Sequence, residues 1–136
     1  MRFECSELKG WHIINDAYNA SPMSMRAAIK TTAELVGGRG RKLAVLGDML
    51  ELGDVAEEAH RTVGRELAEQ HFTAAVTYGE LGALIAEGAK ACGLAAYHCA
   101  THQEAADKLH EILQEGDTVL FKGSRGMQME KVIELL

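Results

Sequence analysis

Short apolar runs alternating with helically spaced segments constrain this chain more than any other feature. Residues 43–46 (LAVL), 74–77 (AAVT), 95–98 (AAYH) and 118–121 (TVLF) read as strands. Residues 23–36, 54–70, 80–91, 102–115 and 126–136 read as helices. In the first helix Met25, Ala28, Ile29, Ala33 and Val36 share a face, and Gly37-Gly38 ends it. In the second, Val55, Ala59, Val63 and Leu67 recur every fourth residue. Ahead of these, residues 2–15 read as a hairpin: Phe3 and Cys5 alternate with polar residues, Lys9-Gly10 turns, and Trp11-His12-Ile13-Ile14 returns. Alternating strands and helices imply right-handed crossovers, and strands without polar alternation imply burial on both faces. The expected fold is therefore α/β: one domain over 1–136, a mainly parallel sheet with an N-terminal antiparallel hairpin, and helices on both faces.

Composition narrows the partners. Fourteen Lys and Arg stand against 20 Asp and Glu, a net charge of −6, so the basic footprint of a nucleic-acid or anionic-membrane surface is missing. No stretch approaches the roughly 18 apolar residues of a membrane span, and the opening MRFECSELKG holds no apolar signal core. A cytoplasmic location with reduced thiols is expected. Cys5, Cys92 and Cys99 are odd in number and form no CxxC pair. Cys92 and Cys99 flank a predicted strand, with His98 beside Cys99, but without two close ligand pairs no metal site is expected.

Chemically unusual residues follow the strands. In "NDAYNASP" Asp16 can bind a cation, and Asn19 can hydrogen-bond a planar ring; equally, Asp, Asn and Ser suit a tight turn that Ser21-Pro22 converts into a helix start, with Tyr18 in the core. In "VLGDMLELGD" Asp48 and Glu51 can hold an ammonium group or magnesium, or merely favour the next helix N-terminus. His60 can reach back toward that edge, although a lone helical histidine is ordinarily solvated or packed. "KGSRGM" offers Lys122, Ser124 and Arg125 around glycines: a cradle for carboxylate or phosphate, or a Ser124 cap beside two solvated cations. No GxxxxGK[ST] phosphate loop occurs, and Gly37-Gly38-Arg39-Gly40 follows a helix rather than a strand. Ligands of open parallel sheets bind beyond the strand carboxyl ends, where all three clusters should meet.

Taken together, "RFE…INDAYNASPMSMRAAI", "AVLGDMLELG…H" and "LFKGSRGMQMEKVIELL" resemble the C-terminal domain of the Mur ligase family across essentially the whole chain. The resemblance implies a Rossmann-like domain of a three-domain enzyme, with an N-terminal domain for a UDP-sugar and a central ATPase domain outside this chain. It points to the member that adds D-alanyl-D-alanine to UDP-N-acetylmuramoyl-tripeptide in peptidoglycan synthesis. There ATP, with Mg2+ held mainly by the central domain, phosphorylates the tripeptide carboxylate, and the dipeptide amine attacks the acyl phosphate. By resemblance, Arg2 reaches the ATP phosphates and Asp16 positions that arginine and the nucleotide. Tyr18 and Asn19 lie toward adenine and ribose, and Ala17 stands where the family carries serine. Lys122, Ser124 and Arg125 face the incoming carboxylate, with Asp48 and Glu51 in the neighbouring loop. The alternatives are the equivalent domain of a sister ligase, such as folylpolyglutamate synthase or another Mur enzyme, or a freestanding nucleotide-binding regulatory module.

Overall fold

A computed structural model describes residues 3–136. Strand β1 (Glu4–Leu8) pairs antiparallel with β2 (Trp11–Asp16). Lys9 and Gly10, both at positive φ, form the tight turn that matches strand twist. Four further strands follow: β3 (Lys42–Leu46), β4 (Ala74–Tyr78), β5 (Ala95–Cys99) and β6 (Thr118–Lys122). They complete one six-stranded sheet in the order β1-β2-β6-β3-β4-β5, parallel except at the hairpin.

Strand residues alternate between two cores. Ile14, Ala44, Leu46, Ala75 and Leu120 meet α1 (Pro22–Val36), α2 (Ala56–Glu69) and α3 (Gly82–Ala91) through Ile29, Leu67 and Ile85. Ile13, Leu43, Val45, Val119 and Phe121 meet α4 (His102–Ile112) and α5 (Glu130–Glu134) through Leu109 and Val132 on the other face. Burial on both faces is the reason these strands read as unbroken apolar runs. Helix α1 starts where Ser21 and Ser24 exchange a reciprocal capping box ahead of Pro22.

The expected helix over 126–136 is interrupted. Residues Arg125–Met127 form a 3-10 turn, Gln128 adopts the left-handed conformation at φ 51°, and only Glu130–Glu134 is α-helical. The break lets buried Met129 reach the ends of β3 and β6, a tertiary demand that outweighs local helix preference. The start of the helix expected over 54–70 is likewise a 3-10 turn, Gly53–Val55.

Candidate functional site at the carboxyl edge of the sheet

Strand β6 lies between β2 and β3, yet its chain continues to the α5 face while β2 and β3 continue to the α1 and α2 face. The loops therefore splay apart on either side of β6, opening the crevice where open α/β sheets bind ligands. Asp16, Lys122 and Leu46 occupy one register row across β2, β6 and β3. The three polar sequences thus leave the sheet side by side.

Lys122 is only 1% exposed and Asp16 is fully buried. Lys122 Nζ donates to Asp16 Oδ2 at 2.8 Å, to the Asn19 carbonyl at 2.8 Å and to the Asp16 carbonyl at 3.4 Å. All three ammonium protons are thereby engaged. The solvated cation considered for this position does not exist: Lys122 ties the β2 loop to β6. Asp16 Oδ1 is buried and has no hydrogen-bond partner among the described residues. A carboxylate oxygen without a partner is costly to bury, and Oδ1 is left as an unused acceptor among the described residues.

Ser124 does not cap a helix. Its amide donates to the Asp48 carbonyl at 2.8 Å, and its hydroxyl accepts the Leu50 amide at 2.8 Å. The β6 and β3 loops are thus bonded together. A Cβ on Gly123 would lie 2.8 Å from Met129 Cγ and 3.2 Å from Gly47 Cα, so the two loops can approach only without side chains there.

The Asp48 side chain turns inward, and its Oδ1 accepts the Gly82 amide at 2.8 Å at the start of α3. Burial pushes its carboxyl pKa up, against the opposing pull of that amide. His60 is fully buried: its Nε2 accepts the Met49 amide at 2.9 Å, and its Nδ1 lies 2.6 Å from the Ala56 carbonyl. Only the neutral ring with its proton on Nδ1 satisfies both, so this histidine is a brace for the β3 loop. The sequence signal for it was its place in "GDMLELG…H". His102 Nε2, a residue the sequence reading passed over, donates to the Met127 carbonyl at 2.9 Å and steadies the turn after Arg125.

Four expected residues are exposed: Tyr18, Asn19, Glu51 and Arg125. Glu51 sits at φ 64°, a conformation unusual outside glycine, in the loop beside Ser124's partner Leu50. The Asn19 side chain accepts the Ala20 amide at 2.8 Å, the turn chemistry its residue type suggests. Tyr18 is 43% exposed rather than in the core, and the Arg125 guanidinium lies over its ring, 5.2 Å from the centroid. Arg2 lies outside the described residues. No group of three or more His, Cys, Asp or Glu able to hold a metal exists among the described residues. Cys92 is exposed while Cys99 is buried, and burial pushes the Cys99 thiol pKa up. A groove of about 430 Å3 under the hairpin, walled by Cys5, His12, Val36 and Arg39, includes none of the expected site residues. Among the described residues no helix is long and apolar enough to cross a membrane.

The profile of the Mur ligase, glutamate ligase domain, matches residues 1–125. This chain belongs to the Mur ligase family. Over 131 residues it is 44% identical to the UDP-N-acetylmuramoyl-tripeptide–D-alanyl-D-alanine ligase of Bacillus subtilis, spanning 92% of this chain and 28% of that protein. Among solved structures, MurF from Acinetobacter baumannii superposes with TM-score 0.86 at 33% identity, covering 98% of this chain and 30% of that one. The MurF ligase from Thermotoga maritima in complex with ADP gives 0.82 at 29%, again with 98% and 30% covered. This Mur ligase domain therefore spans under a third of the length of those relatives. The fold expected from the resemblance is the one observed.

Proposed function

We propose that this chain is the C-terminal domain of an ATP-dependent ligase that adds D-alanyl-D-alanine to UDP-N-acetylmuramoyl-tripeptide in the cytoplasm. Its carboxyl edge presents the dipeptide to a central ATPase domain of the same enzyme. The observation that carries the reading is the contrast between two cations on one loop. Lys122 is buried and spent on Asp16 and Asn19, whereas Arg125 is exposed, and its guanidinium makes no hydrogen bond or ion pair among the described residues. Arg125 therefore takes the dipeptide carboxylate, for which its planar fork is suited. Lys122 and Ser124 act behind it by holding the loops, and Asp48 does so through α3. Glu51 lies on the exposed rim beside the amine end of the dipeptide.

The residues present fit an adenine nucleotide held chiefly elsewhere. Asp16 Oδ1, without a partner among the described residues, supplies an acceptor for a guanidinium or hydroxyl donor, the part that the family resemblance gives to Arg2 and the nucleotide. The ADP complex of the Thermotoga maritima relative supports this assignment. ATP activates the tripeptide carboxylate, and Mg2+ belongs with its phosphates on the remainder of the enzyme. This domain contributes positioning: an anchored carboxylate aims the neutral amine, and closure of the edge excludes water that would hydrolyse the activated acyl group. The chain alone should form no amide bond. In the complete enzyme Arg125→Ala should raise the KM for D-alanyl-D-alanine by about tenfold or more while the KM for ATP stays within about twofold. An unchanged dipeptide KM removes the carboxylate assignment.

A further inference from the structure

Arg125 and Tyr18 stand on separate loops, each with a rigid base. The Tyr18 loop is pinned by Lys122 on the Asn19 carbonyl at 2.8 Å and by Asn15 Oδ1, which accepts the Ala17 amide at 3.1 Å. The Arg125 turn is pinned by Ser124, whose amide meets the Asp48 carbonyl, and by His102 on the Met127 carbonyl. What joins the two side chains is the guanidinium over the ring at 5.2 Å. A stack of this kind uses the π-face of the guanidinium and leaves its N–H groups, which lie in the plane, pointing outward. An exposed arginine otherwise loses considerable rotamer freedom on binding a ligand. The ring restricts that freedom beforehand without spending a donor.

From this geometry we infer that Tyr18 is a positioning residue for dipeptide binding: its ring holds Arg125 with the donor edge presented to the incoming carboxylate. The inference rests on the proposed role of Arg125. It moves Tyr18 from the nucleotide side of the edge, where the family resemblance had set it, to the dipeptide side. It also makes the role one of ring face rather than hydroxyl, since the guanidinium lies over the ring.

Two measurements test it. In the 136-residue chain, NMR of the Arg125 side chain should show its Nε proton shifted upfield by the ring current, retained in Tyr18→Phe and lost in Tyr18→Leu. An unshifted proton in the parent chain overturns the stack itself. In the complete enzyme, Tyr18→Leu should raise the dipeptide KM by roughly three- to tenfold with the ATP KM unchanged, and Tyr18→Phe should restore most of the loss. A rise in the ATP KM instead returns Tyr18 to the nucleotide and overturns the inference. Equal losses in Phe and Leu assign the hydroxyl and overturn it too. Arg125→Ala separates the two levels. If it raises the dipeptide KM while Tyr18→Leu does not, only the positioning role falls; if it has no effect, the carboxylate reading falls with it.

Discussion

Each end of the sheet carries a cation paired with a buried carboxylate, and the two pairs are finished differently. At the amino end, Arg41 meets Asp117 through Nε at 3.1 Å and Nη2 at 3.0 Å, and donates to the Ile112 carbonyl at 2.9 Å. Asp117 Oδ2 also accepts the Gln114 amide at 2.8 Å, so both its oxygens are satisfied. At the carboxyl end Lys122 saturates one oxygen of Asp16, the other has no hydrogen-bond partner among the described residues, and the Arg125 guanidinium beyond it rests on the Tyr18 ring. A closed polar network stabilises a loop junction. An open one keeps acceptor and donor capacity for something that arrives later. The difference marks the carboxyl end as the one proposed to bind substrate and the amino end as structural.

The largest test of that contrast is Lys122→Met. Removing one member of a fully buried pair leaves Asp16 charged and uncompensated, so the chain should lose about 3–5 kcal/mol of stability in denaturant titration. Adding Asp16→Leu should recover part of it; a single-variant loss below about 1 kcal/mol would contradict a buried, fully engaged ammonium. Asp117→Ala should cost less, about 1–2 kcal/mol, because Arg41 is 32% exposed and can turn to water. It should leave the dipeptide KM of the complete enzyme unchanged, and a shifted KM would blur the division between the two ends.

Smaller still is the effect of Asp48→Asn. Because burial raises the Asp48 pKa above 3.8, its folded form holds the proton more tightly. That stability is present below 3.8 and is lost as pH rises through the higher folded value. Asparagine still accepts the Gly82 amide, so the variant's stability should fall less steeply with pH over that window; Glu66, raised by burial in the same direction, keeps part of the slope. Thermal melts across the window check this, and a steeper fall would contradict the burial argument. The smallest change belongs to Arg125→Ala, which should alter stability by no more than about 0.5 kcal/mol despite the rise in dipeptide KM proposed for it. A large loss would make Arg125 part of the scaffold.

Much of the architecture was legible because strand runs and helix faces are local, periodic signals. The 43–46 and 118–121 runs announced buried strands, and the polar clusters after them fell on one edge by a general property of parallel sheets. The last helix misled because Met127 and Met129, read as part of a continuous helix, pack instead against Gly47 in the loop after β3. Lys122 was not legible as a brace because both readings of it, anion cradle and solvated cation, leave its ammonium free, while its partner Asp16 lies 106 residues away. Nothing in "NDAYNASP" alone tells which of its carboxylate oxygens is satisfied.

By itself the sequence determined the alternation of strands and helices, the exclusion of a basic surface, and the family, since periodicity, charge and motif are written along the chain. Only the tertiary structure decided which polar groups are spent and which remain available. Lys122 and Arg125 are three positions apart, with Gly123 and Ser124 between them, yet one is 1% exposed and the other faces solvent. Burial and pairing are properties of neighbours brought in from distant strands, and those neighbours separate the buried brace Lys122 from the exposed Arg125.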